Sequence, residues 1–187
     1  MNIHGYNRIM IIGNNGSGKS YLSKALAAIT GLPLVHLDAL YWLPDLQRPP
    51  DEEWRQKNIE LIAAEKWILD GNFAQGGAME LRCAAADLVL YLDVNRLVCL
   101  AGAIKRSAKD KRSGKDRPDG PQDFREQFDR RFFGLCKAIW NHSKGREGSF
   151  LALREKYPGT PFFVIKGRRK MHKLLRQWRM HQEALEY

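Results

Sequence analysis

Eight residues near the N-terminus, Gly13-Asn14-Asn15-Gly16-Ser17-Gly18-Lys19-Ser20, constrain the fold of this chain more than any other feature. They satisfy the pattern G-x-x-x-x-G-K-[ST] at every position. The preceding run, Arg8-Ile9-Met10-Ile11-Ile12, has the continuous apolar character of a strand buried on both faces. Beyond the motif, Leu22, Ala25, Leu26 and Ile29 recur at helical spacing, and Gly31 supplies a stop. In this setting glycines let the backbone curl so that successive N–H groups point into one cavity, a nest for phosphate oxygens. The helix that follows turns its positive end toward the same anion. Lys19 then reaches the β- and γ-phosphates of a nucleoside triphosphate, and the Ser20 hydroxyl binds a magnesium ion.

The rest of the chain repeats the alternation. Strands are expected at 33–37, 67–70, 88–92 and 162–165. Helices are expected from a cap at Asp51 to about Lys66, from about residue 95 through Ile104, and over the stripe Phe124, Phe128, Phe132, Leu135 and Ile139. A shorter helix is expected over Ser149–Tyr157, and a last one on Met171, Leu174, Leu175 and Trp178. Strand and helix in turn imply right-handed crossovers and a mainly parallel sheet with helices on both faces, a three-layer α/β/α arrangement. The 187 residues suffice for one such domain, 1–187, with a small insertion. In these sheets ligands lie beyond the carboxyl ends of the strands, which is where Asp38, Asp70 and Asp93 are expected.

Composition excludes several classes. With 44% hydrophobic and 28% charged residues the chain is globular, and its apolar runs are too short to cross a bilayer. The first residues show no charged leader followed by a long apolar core, and three widely spaced cysteines show no metal pattern. A cytoplasmic protein with reduced thiols is expected, with no membrane partner. The formal net charge of +10 is unevenly placed: residues 1–100 hold nine Lys/Arg against eleven Asp/Glu, and residues 101–187 hold twenty-two against ten. Such a field suits nucleic acid, small polyphosphates or simply a solvated surface. Oligomeric state leaves no trace in the sequence.

Further residues carry chemistry. Asp93 closes an apolar strand in the manner of a Walker B carboxylate, holding magnesium with Ser20, or else caps the next helix. Asp38 can orient or deprotonate an acceptor hydroxyl, or be a solvated turn residue. Tyr41 and Trp42 are either a flat wall for an acceptor ring or core, and His36 reads as structural. Asp70-Gly71-Asn72 ends a strand with a small residue, where a ligand or a plain turn comes close. From Lys105 to Arg117 there are seven basic residues against two acidic ones, and through Pro121 there is no apolar pattern but Gly114, Pro118, Gly120 and Pro121. We expect a mobile lid over about 106–121, with Arg106, Arg112 and Arg117 neutralising charge on a transferring phosphoryl group; a solvated loop is the alternative. No Asn-Lys-x-Asp tetrapeptide is present to select guanine, so ATP is the expected donor.

The elements GNNGSGKS, HLDALYW, WILDGNF, ELRCAAADLVLYLD, IKRS and RPD, in this order, resemble those of the adenylate-kinase-related P-loop proteins known as DNA topology modulation proteins. The resemblance covers about residues 7–175 and is narrowest in the HLDALYW and DGNF pair. It implies five parallel strands in the order 2-3-1-4-5, a mobile lid and an ATP- and Mg2+-dependent kinase-like site with a small-molecule or nucleotide acceptor. By the same resemblance Gly167 and Arg168 lie near the adenine, and Arg82 faces an acceptor phosphate or carboxylate. Tyr21 departs from the small Ser or Thr usual after the Lys-Ser pair and adds bulk near the α-phosphate. A nucleic-acid-binding ATPase is the competing reading, motivated by the run from Lys166 to Arg179 with seven basic and no acidic residues.

Overall fold

The segments expected to be strands pair into one parallel sheet. In the computed structural model, which describes residues 2–43, 46–113 and 129–184, β1 (Arg8–Gly13) lies at its centre. It pairs with β3 (Trp67–Asp70) on one side and β4 (Leu88–Asp93) on the other, with β2 (Leu34–His36) and β5 (Phe162–Lys166) at the edges, giving the order β2-β3-β1-β4-β5. The registers end together: His36 lies opposite Asp70, Gly13 opposite Leu92 and Asp93 opposite Lys166. The carboxyl ends of all five strands therefore open on one edge of the sheet.

Successive side chains of a strand point to opposite faces, and β1 supplies both layers of the core in this way. Ile9 and Ile11 pack with Leu22 and Leu26 of α1 (Lys19–Thr30), Cys99 and Ala103 of α5 (Arg96–Ser113), and Met171, Leu175 and Trp178 of α7 (Gly167–Glu183). Met10 and Ile12 pack on the other face with Tyr41 of α2 (Leu37–Tyr41), Trp54 of α3 (Asp51–Ile62) and Ala78 and Cys83 of α4 (Ala78–Ala85). The long helix α6 (Arg130–Lys156) gives Ile139 to the first layer and Phe150 and Leu153 to the second. Cys83 and Cys99 are buried and unbridged, and burial pushes both thiols up to about 11.

Four expectations are corrected. The segment from Lys105, expected to be a loop, continues α5 as helix to Ser113. Ala, Lys and Arg are strong helix formers, and a helix that outruns the core needs no apolar stripe. The two helices expected near 124–139 and 149–157 are, from Arg130 onward, the one helix α6, capped by Asp129, whose carboxylate accepts from the amides of Arg131 and Phe132. Asp51 is the first residue of α3 and not its cap, and that helix ends at Ile62, short of Lys66. Asp38 sits in the first turn of α2, which follows β2 directly. Phe124, Phe128 and Arg117, with the lid expected at 106–121 beyond Ser113, lie outside the described residues. No helix among the described residues is long and apolar enough to cross a membrane.

Candidate active site

The phosphate loop joins β1 to α1. Gly13, Gly16 and Gly18 have φ of 150°, 73° and 110°, a region that side-chain-bearing residues rarely adopt. At Gly16 the constraint is also spatial: an added Cβ would lie 2.1 Å from the Cys99 carbonyl oxygen and 3.0 Å from the Ala103 nitrogen. The loop thus lies against the backbone of α5. Its outer carbonyls are held from behind: Arg168 of α7 donates from Nε to Ser17 O at 3.1 Å and from a terminal nitrogen to Gly16 O at 2.5 Å. Asn14 is buried and donates from Nδ2 to Ile139 O of α6 at 3.0 Å. With Gly16 O and Ser17 O turned outward onto a cation, the loop is braced as a nest for anions requires. The Ser17 hydroxyl is buried without a hydrogen-bond partner among the described residues, an orphan donor within the loop.

Lys19 heads α1 and is 9% exposed, with Nζ donating to Asn14 O at 3.0 Å. Burial lowers its pKa, Asp70 and Asp38 oppose that shift, and Arg106 adds to it. All three charges therefore act on the lysine at the loop. Asp70 is 4% exposed; its Oδ2 accepts from Ser23 Oγ at 3.2 Å and lies 2.9 Å from His36 Nδ1, while Oδ1 is buried without a partner among the described residues. Asp38 is half-buried at the start of α2. Beside it Tyr41 is buried under Phe73, ring centroids 4.4 Å apart, and Trp42 and Trp54 meet Tyr41 edge-on. Tyr41 is thus core, whereas Trp42 keeps a partly open face.

On the far side of the loop, Asp93 lines a cavity of about 220 Å³ with Asn14, Asn95, Arg96 and His142. No group of three or more His, Cys, Asp or Glu among the described residues is arranged to hold a metal ion unaided. Ser20 and Asp93 both carry oxygen donors, the type that magnesium takes, and a polyphosphate would have to complete its shell.

Several expected site residues are placed differently. Asn72 does not face the cleft: its Nδ2 donates to Gly13 O at 2.8 Å and its Oδ1 accepts from Gly13 N at 3.1 Å. Arg82 is fully buried, with one terminal nitrogen donating to Asn58 Oδ1 at 2.8 Å and the other to the carbonyls of Asn72 and Phe73. Burial pushes the guanidinium down to about 9, which still leaves it charged at neutral pH. Arg168 grips the loop carbonyls of Gly16 and Ser17. Arg106 lies within helix α5 and not in a loop. Tyr21 is 56% exposed and meets His172 edge-on, 5.2 Å between ring centroids, outside the loop. Gly167, φ 78°, begins α7, and no atom of the described residues lies within 4 Å of its Cβ position.

The sequence reading missed Ser23 and Asn58 and took His36 as structural. A signal existed for His36: the last residues of two adjacent parallel strands lie side by side, as His36 and Asp70 do.

No protein-family model matches the chain, and no curated protein does. Solved structures do. A shikimate kinase from Acinetobacter baumannii in complex with shikimate superposes with a TM-score of 0.59 at 13% identity, covering 98% of this chain and 95% of that one. A shikimate kinase from Bacteroides thetaiotaomicron gives 0.56 at 18%, covering 97% and 99%. A gluconokinase from Sinorhizobium meliloti 1021 gives 0.54 at 13%, covering 96% and 93%. The chain shares the fold of these kinases, the five-stranded parallel α/β arrangement, over nearly its whole length.

Proposed function

We propose that the protein is an ATP-dependent phosphotransferase that moves the γ-phosphoryl group of ATP onto a hydroxyl of a small-molecule or nucleotide acceptor. One observation carries this reading: a buried lysine at the head of α1 feels two carboxylates, Asp70 and Asp38, at the strand ends beyond the phosphate loop. Donor and acceptor groups would meet there. The likeness in fold to small-molecule kinases supports it.

In this mechanism the loop amides beyond Gly13, whose own amide is taken by Asn72, and the Lys19 ammonium hold the β- and γ-phosphates. Asp38 takes the acceptor's hydroxyl proton as the new O–P bond forms and the bond from the γ-phosphorus to the bridging oxygen breaks, leaving ADP. Arg106, close enough to act on Lys19, faces the charge that builds on the transferring group. Asp70, held by Ser23 and His36, keeps the lysine charged. Magnesium, held by Ser20 and Asp93, supplies charge neutralisation on the phosphates when bound. The acceptor is gripped without Arg82, which is fully buried, and without Asn72, whose amide bridges Gly13; Asp38 and the open face of Trp42 are contacts on the acceptor side.

The test is a panel of hydroxyl metabolites and nucleosides with ATP and Mg2+, comparing wild type with Asp38→Asn. Transfer should fall at least about 100-fold in the variant while ATP still binds. Unchanged transfer would remove Asp38 from the chemistry, and a panel with no acceptor would count against the kinase reading.

A second reading, a nucleic-acid-binding ATPase, is favoured by α7. Arg169, Lys170, Lys173, Arg176 and Arg179 are all exposed, while Met171, Leu175 and Trp178 are buried. Duplex DNA bound with a steep salt dependence and raising ATP turnover would support it over the first.

A further inference from the structure

The turn after β3 is held by more hydrogen bonds than its length needs. Phe73 has φ of 27°, a left-handed backbone unusual for an aromatic residue, and it follows Gly71 at 142°. Strain of this kind persists where the surroundings over-determine the chain. Here Trp54 Nε1 donates to Phe73 O at 3.1 Å, and Arg82 donates to the carbonyls of Phe73 and Asn72. Arg82 is itself fixed by Asn58 Oδ1, whose own Nδ2 donates to Trp54 O at 2.7 Å. A buried guanidinium is thus spent on two consecutive carbonyls of one turn.

The side chain within that turn faces the phosphate loop. The pairing of β1 with β3 reaches Gly71 N, which donates to Ile11 O at 3.1 Å, and there the backbone of β3 turns away. Asn72 continues the ladder with its side chain, giving to Gly13 O and accepting from Gly13 N. A primary amide is the shortest side chain that carries both halves of a backbone bridge.

We propose that Arg82 and Asn72 form a relay that fixes the first residue of the phosphate loop, and that both are positioning residues of the donor site, not acceptor ligands. Arg82 holds the strained turn, the turn aims the Asn72 amide, and the amide locks Gly13. The relay is independent of the acceptor's identity; only its consequence for ATP rests on the kinase reading.

Amide hydrogen exchange in the free protein tests it, with exchange at Gly13 normalised to the slowest β4 amides so that global loosening cancels. Asn72→Ala should speed Gly13 exchange about tenfold or more, and Asn72→Asp less, because a carboxylate still accepts from Gly13 N but cannot donate to Gly13 O. Arg82→Lys keeps the charge but loses the fork. It should speed Gly13 exchange too, although Arg82 does not touch Gly13, and combining it with Asn72→Ala should add nothing further. Normalised Gly13 exchange unchanged in Asn72→Ala overturns the proposal, as does an Arg82→Lys effect confined to residues 72–75. Should Arg82→Lys fail to fold, the graded Asn72 pair decides alone. Binding of a fluorescent ATP analogue is read alongside: wild type that fails to bind it refutes the kinase reading, while the exchange data still decide the relay.

Discussion

Replacing Gly16 with alanine measures how tightly the phosphate loop is built against its neighbour. Gly16 occupies a position that the G-x-x-x-x-G-K-[ST] pattern leaves free, yet φ is 73° and an added Cβ would lie 2.1 Å from Cys99 O. The backbone term alone costs about 1–2 kcal/mol for an L-residue in the left-handed region. The contact adds more, because the atoms met are α5 backbone and not a flexible side chain; forcing extra bulk into packed structure costs about 1–3 kcal/mol. The sum, roughly 2–5 kcal/mol, corresponds to a melting temperature lower by roughly 4–20 °C at about 2–4 °C per kcal/mol for a chain of this size. Gly31→Ala is the internal control: φ is 70°, almost the same, but among the described residues nothing lies within 4 Å of the added Cβ. It should show the backbone term only. Calorimetry of the two variants isolates the contact, and titration with Mg2+ and ATP should show Gly16→Ala alone losing affinity, since loop or helix must shift. Equal melting temperatures and equal affinities in the two variants would refute the close approach of the loop to α5.

Two further predictions follow from the groups around the loop. Arg168→Ala should weaken ATP, GTP and inorganic triphosphate equally, by about tenfold, because Arg168 acts on Gly16 O and Ser17 O and not on a base; calorimetric titration that shows a loss for ATP alone would place it at the adenine instead. Lys19→Met should abolish triphosphate binding yet melt no lower than wild type at neutral pH, since it removes a buried charge. Burial holds the Lys19 pKa below its ordinary 10.5, so between the folded value and 10.5 the unfolded chain keeps a proton that the folded one releases. Raising pH through that interval should therefore stabilise wild type and not the variant; parallel stability curves in urea up to pH 10.5 would contradict the burial of the charge.

How much of this was legible beforehand depended on range. The strand–loop–helix at 8–30 is written in adjacent residues, so β1, the phosphate loop and α1 follow from it directly. The strand order came from the resemblance and holds in the structure. What failed to read were groups whose partners lie far along the chain. Asn72 meets Gly13 across 59 residues, Arg82 meets Asn58 across 24, and Arg168 meets Gly16 across 152. Nothing near an arginine tells whether its fork will close on a ligand or on carbonyls. The continuation of α5 past Ile104 was hidden for another reason: apolar periodicity marks the buried face of a helix, and a stretch dominated by Lys and Arg shows little of it although it is helical. Gly16 was ambiguous because the motif tolerates other residues there, while the approach of α5 does not.

The central claim is that the amides of residues 16–20 close around a triphosphate, and amide NMR during titration with Mg2+ and a non-hydrolysable ATP analogue tests it most directly. The account predicts large, saturable shifts at Gly16, Ser17, Gly18, Lys19 and Ser20, absent in Lys19→Met. Saturable binding that leaves those amides unmoved, or no binding at all, would contradict it.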